Sequence, residues 1–200
     1  MNILINPSEA KQFARVVVGM EWPGEKPGWI VAIGEERDPR PGGTARHCHL
    51  LAESAPFAKT QFLSDLSEFQ AMYKPVGIYG KYEKQNIVHL YLHNANVTRR
   101  GQAPVDFFQA PYSDTGKLEV YSDLIIKRML PTSKSIHLGP AEIAKYLNIA
   151  PEDRVTASPA THPAVAALGY AIMVLELYSP PQDGQEQSTL DEDVDRMTGY

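Results

Sequence analysis

A single cysteine, Cys48, leaves this 200-residue chain without the means to form an intrachain disulfide. No run of 18 apolar residues occurs, which excludes the ordinary signature of a membrane-spanning helix. The opening stretch, MNILINPSEA, lacks a basic segment followed by a long apolar one. A secretory leader is therefore not expected, and a soluble protein of the reducing cytoplasm is. Without secretion, the glycosylation sequon Asn96-Val97-Thr98 carries no meaning. Nucleophilic catalysis finds no support either: there is no G-x-S-x-G elbow, and Cys48 reads as a buried small hydrophobe within a strand. Net charge is also missing where it would be most informative. The total is −5, but residues 179–200 hold six acids against the single base Arg196. The body, residues 1–178, is left neutral, so electrostatics neither draws it to nucleic acid nor keeps it away.

What is present is an ordered alternation of elements. Residues 7–13 read as a short helix with Ser8 as its cap. Val16, Val17 and Val18 are consecutive and β-branched, which marks residues 15–22 as a strand. A Pro/Gly-rich turn leads to a second strand at residues 29–35, and a loop with two prolines and two glycines leads to a third at 45–52. Three strands with short connections form an antiparallel meander. The rhythm then changes. Phe62, Leu66, Phe69 and Tyr73 recur at helical spacing. Short strands are expected at 75–79, 105–109 and 135–138. Further helices are expected at 84–94, at 118–129 with Ser113 or Asp114 near the cap, and at 141–147. Residues 163–178 predict a long and nearly all-apolar helix, with Pro163 in its first turn and His162 at the cap, buried on most sides. After Pro180-Pro181 the acidic tail, 179–200, is too poor in apolar residues to fold alone. Thr189 and Glu192 have capping-box spacing, yet a solvated tail is the preferred reading.

Three meander strands, alternating helices and strands, and a closing helix give an α/β domain with a mixed sheet over residues 1–178. This order resembles the RNase H-like fold. Within that superfamily the chain is most similar to the nuclease domain of phage large terminases, the DNA-packaging motors. Local stretches carry the resemblance: Gly19-Met20-Glu21-Trp22 at the end of the first strand, the hairpin into Gly28-Trp29-Ile30-Val31-Ala32-Ile33-Gly34, and Lys74-Pro75-Val76-Gly77-Ile78-Tyr79-Gly80 after the first helix. Ala166-Ala167-Leu168-Gly169-Tyr170-Ala171 in the last helix is similar to the family's closing "DALxYA".

The family implies a two-metal nuclease in which clustered carboxylates hold Mg²⁺ or Mn²⁺. Carried onto this chain, the candidate catalytic residues are Glu21, Glu53, Glu83 and His162, with Glu21 and His162 as candidate metal ligands. The departures are pronounced. The fourth strand ends in Gly80-Lys81, with Glu83 displaced, and the closing helix offers Pro163 and Ala166 where the family places aspartates. His162 is a partial substitute, because some resolvase relatives use a histidine near this place. No Walker A sequence is present, so the motor half of a terminase is absent from this chain.

Other constellations carry less. His47 and His49 share one face of a strand, and His89 and His93 one face of a helix, but both pairs lack a third metal ligand. The doublets Arg99-Arg100 and Lys127-Arg128 read as solvated charges before they read as phosphate contacts. Trp22, Trp29 and Tyr79 read as packing residues.

Three functions follow. One is a non-catalytic or weakly catalytic phage or prophage module, contacting DNA or, through its acidic tail, a packaging or assembly protein. Another is an active metal-dependent endodeoxyribonuclease with a rearranged site. The third is a generic protein-interaction domain.

Overall fold

A computed structural model describes residues 1–38, 46–81, 87–88, 107–111, 124–125, 128 and 162–178. Its strands are β1 (Asn2–Ile3), β2 (Arg15–Glu21), β3 (Trp29–Glu35), β4 (Cys48–Ser54), β5 (Ile78–Gly80) and β6 (Phe107–Gln109). Two long helices accompany them, α1 (Lys59–Tyr73) and α2 (Pro163–Leu177), with a 3-10 turn at Glu9–Gln12. The six strands form one sheet in the order β1-β4-β3-β2-β5-β6. β2, β3 and β4 pair antiparallel, β5 joins β2 in parallel, and β6 joins β5 in parallel. With β1 set aside, the meander occupies one half of the sheet and the parallel strands extend from its first member. This is the RNase H-like arrangement expected from the order of elements, in an α/β protein with a mixed sheet.

The consecutive valines of β2 are explained by burial. Every residue of β2 and β3 is buried, as strands covered on both faces require. Val17, Val31 and Ile33 face α2, while Val18, Ile30 and Ala32 face α1. Each of these valines and isoleucines contributes roughly 1.5–3 kcal/mol on leaving water. Helix α2 is buried at every position from Pro163 to Leu175, which accounts for its lack of a polar face.

Several boundaries differ from expectation. β4 begins at Cys48 and continues to Ser54, two residues beyond the expected end. Its outer edge is covered by β1, a two-residue strand too short to announce itself in sequence. The register of β4 against β3 shifts between Ala32 and Ile33, which leaves Leu51 as the extra residue of a bulge. The Leu51 carbonyl accepts from both Leu4 N and Ile5 N at 2.9 Å. β5 starts at Ile78 instead of residue 75, because Lys74 takes a left-handed conformation (φ 46°) to close α1 and Pro75 has no N–H to give a ladder. The expected helix over 7–13 is only a 3-10 turn, and Ser8 does not cap it: its N–H and hydroxyl both donate to Asn6 Oδ1, at 3.0 and 2.9 Å. The expected elements at 135–138 and 141–147, most of those at 84–94 and 118–129, and the tail 179–200 lie outside the described residues. No described helix is long and apolar enough to cross a membrane.

Candidate functional site at the Glu21 end of the sheet

β2 and β5 run in parallel, so Glu21 and the residues after Gly80 reach the same end of the sheet. β4 also runs parallel to β2, which brings Ser54 to that end. The side chains of Arg15, Val17, Gly19 and Glu21 alternate onto the α2 face. Helix α2 runs antiparallel to β2: the carbonyls of Leu175 and Tyr178 accept from Arg15, and Ala167 lies against Gly19. The N-terminus of α2, with His162 at the cap position, therefore points toward the Glu21 end.

Glu21 is only 7% exposed. The Tyr170 hydroxyl donates to its Oε2 at 3.0 Å. This contact exists because α2 approaches the sheet very closely. A Cβ on Gly19 would lie 1.9 Å from the Ala167 carbonyl oxygen. Ala166 is one helical turn before Tyr170 and shares its stripe, so the position where the family carries an aspartate is a buried methyl group. From Pro163 to Leu175 the helix offers no carboxylate at all.

Glu53 shares the Glu21 face. The bulge at Leu51 shifts the alternation so that Leu51 and Ala52 both join the α1-side core and Glu53, paired with Val31, turns toward α2. The two glutamates are nevertheless not neighbours. They sit on strands flanking β3 and two residues apart along it, about 12 Å between Cα atoms from ordinary strand spacing and rise. Trp29, the cross-strand partner of Glu21, fills the interval. Glu53 instead leans outward, where Asn2 Nδ2 donates to its Oε1 at 3.3 Å. Burial raises its pKa above the usual value, while Asn2 and the nearby Trp29 indole partly offset that rise. The indole N–H and Glu53 Oε2 are both buried, and neither has a hydrogen bond of good geometry.

His162 is half-buried at the head of α2. Its carbonyl accepts from Ala166 N at 3.0 Å, but its imidazole makes no capping bond. Glu83, His89 and His93 lie outside the described residues, as do Arg99 and Arg100. No group of three His, Cys, Asp or Glu side chains suited to a metal ion occurs among the described residues. Glu21, Glu53 and His162 thus do not form a two-metal cradle among themselves, and no step through Mg²⁺ or Mn²⁺ follows from their geometry.

The other end of the same face holds a charged cluster that sequence reasoning missed. Glu35, 2% exposed, receives Arg15 Nε at 2.8 Å and an Arg128 guanidinium nitrogen at 2.6 Å. Arg128 also pairs with Glu176 at 2.5 Å and lies 3.5 Å from the Cys48 sulfur. Arg128 is therefore buried and paired, against the expectation of a solvated doublet. For the Arg15–Glu35 pair alone a signal was available: the hairpin register that pairs Glu21 with Trp29 also pairs Arg15 with Glu35. The histidine of β4, His49, is an ordinary packed and paired residue. His49 contacts Glu36 at 2.6 Å and packs on Phe13, while Trp22 packs edge-to-face on Phe62.

No protein-family model matches the sequence, and no curated protein matches it either. A solved structure, that of Thermus thermophilus RuvC, is similar with a TM-score of 0.37 at 15% identity, over 79% of this chain and 92% of that one. In this chain the RNase H-like arrangement is defined by the order and direction of its own strands.

Proposed function

We propose that this chain is an RNase H-like module that engages DNA without cutting it, in a phage packaging or assembly setting. The observation that carries the reading is the closing helix. Where the resemblance would place acids on the helix over the first strand this chain has Pro163 and Ala166, both buried, and one residue further on Ala167 packs directly against Gly19. Among the described residues the carboxylate at that end of β2 is Glu21, which is buried and accepts from the Tyr170 hydroxyl. The packaging setting rests on the terminase-like stretches of sequence, and the acidic tail, 179–200, is the segment suited to a basic surface of a packaging or assembly protein.

The test is incubation with supercoiled plasmid and linear DNA in Mg²⁺ and in Mn²⁺, beside the Glu21→Gln variant. The expected result is no cleavage above background by either protein. Cleavage by the parent that disappears in Glu21→Gln would overturn the reading and establish an endonuclease with a rearranged site. That second reading has one observation in its favour, the placement of Glu21 at the end of β2 on the α2 face.

A further inference from the structure

The rim of the sheet at the Glu21 end carries an aromatic ring that the core does not use. Phe57 is 70% exposed, the highest value among the large apolar side chains described. It lies between the end of β4 and the start of α1, on a segment that is held in place. Gly28 N donates to the Pro56 carbonyl at 3.0 Å, which ties it to the start of β3. The adjoining ring pair, Trp22 on Phe62 at 5.2 Å, anchors the underlying layer. Phe57 is thus an exposed ring on a fixed backbone. Among the described residues the same rim also carries three lysines. Lys26 in the β2–β3 turn and Lys59 at the start of α1 are exposed, and Lys81 follows β5. The acids there among the described residues are Glu25, exposed, Glu53, half-buried, and Glu21, buried against Tyr170. At the opposite end the charges are mixed, with Glu9, Lys11, Glu36, Arg37 and Asp38 alternating in sign.

We propose that this rim binds single-stranded nucleic acid, with a base stacked on Phe57 and phosphates on Lys26, Lys59 and Lys81. An exposed aromatic among lysines is the combination that single-strand binding uses: stacking needs a base with a free face, and the lysines follow the backbone. A paired duplex offers no such face along its length. β4 to β5 is three inter-strand gaps, about 14 Å of rim, enough to meet successive phosphates. The inference rests on the reading of the chain as a DNA-associated module and names the form of DNA it takes.

The test is fluorescence anisotropy of the full chain with labelled oligothymidylate, and with a hairpin duplex of equal length, in EDTA. The parent is expected to bind the single strand more tightly than the duplex. Phe57→Ala is expected to weaken that binding by roughly 10-fold, within the range known for base–aromatic stacking. Lys59→Ala is expected to lower the salt dependence by about 0.7 in slope. Because both positions are exposed, urea melts of the variants should overlay the parent. Absence of oligothymidylate binding at low salt, equal binding of duplex, or unchanged binding by Phe57→Ala would each overturn the proposal. Phe57-dependent binding of polyglutamate in place of the oligonucleotide would assign the rim to an acidic protein partner. The oligonucleotide recovered from Mn²⁺ buffer and run on a gel reports separately on cleavage, so failure of the non-cutting reading is distinguishable from failure of the binding site.

Discussion

Replacing Gly19 by alanine is the most direct challenge to the packing that shapes the candidate site. The added Cβ would meet the Ala167 carbonyl oxygen at 1.9 Å, its carbon at 2.9 Å and the Ala171 methyl at 3.1 Å. Two of these atoms are backbone, so no side-chain rotation relieves the clash. Restoring an ordinary contact requires α2 to move off β2 by more than 1 Å, on the order of the gap that forfeits a quarter to half of the dispersion attraction. That loss is spread along a helix buried from Pro163 to Leu175. The cost therefore belongs at or above the upper end of overpacking effects, about 3 kcal/mol. For a chain of this size that corresponds to a Tm lower by roughly 6–12 °C. Gly24→Ala is the matched control, because nothing lies within 4 Å of the added methyl, and it should stay within about 0.5 kcal/mol of the parent. Urea and thermal melts of both variants give the comparison. A Gly19→Ala protein as stable as Gly24→Ala would refute the seating of α2 on β2, and with it a main support of the proposed non-cutting reading.

Three further outcomes follow from the same face. Arg128→Met leaves Glu35 and Glu176 with one fewer partner in a buried network and should cost roughly 3 kcal/mol in a urea melt; an unchanged midpoint would show that the network is dispensable. Burial raises the pKa of Glu53 in the folded state, so above that raised value its ionised form opposes folding, and the opposition is lost as pH falls through it toward the ordinary 4.5. Glu53→Gln should therefore be more stable than the parent at pH 7, with the difference vanishing near pH 4, and a difference that grows on acidification would contradict the sign. Burial, partly opposed by Arg128 and reinforced by Glu35, pushes the Cys48 thiol up to about 11, so a thiol reagent at pH 8 should label it only at the rate of unfolding; fast native labelling would place Cys48 at the surface.

The architecture was legible because it is written in periodicities. β3 was read to the residue, and β2, α1 and α2 nearly so, since each is defined by an unbroken apolar run or a clear helical repeat. What escaped depends on contacts across the sheet. β1 is two residues long and exists only because β4 has an open edge. The bulge at Leu51 leaves no mark in composition, yet it decides which face Glu53 occupies. Tyr170 looked like one more residue of an apolar helix, and only the close approach at Gly19 reveals it as the partner of Glu21. Arg128 is distant from Glu35 in sequence, so a local reading of a basic doublet could not find its pair.

On the proposed reading, a metal ion and the packed core would compete for the same volume on the α2 face, which leads to a last prediction. An acid at position 166 would share the stripe of Tyr170 and meet the region where Glu21 is already buried. In EDTA, Ala166→Asp therefore places a second carboxylate beside the first, without a cation and in a dry environment, and should destabilise the protein by several kcal/mol, less so at low pH where the acids are protonated. A divalent ion that bridges the two would reverse the penalty, and its stabilisation would rise with concentration as binding to the folded state requires. If Mn²⁺ raises the Tm of Ala166→Asp and leaves the parent unmoved, Glu21 retains the position of a nuclease acid and the helix alone has closed the site. If Mn²⁺ raises the parent equally, the parent holds a metal through residues beyond Glu21, Glu53 and His162, and the non-cutting reading falls.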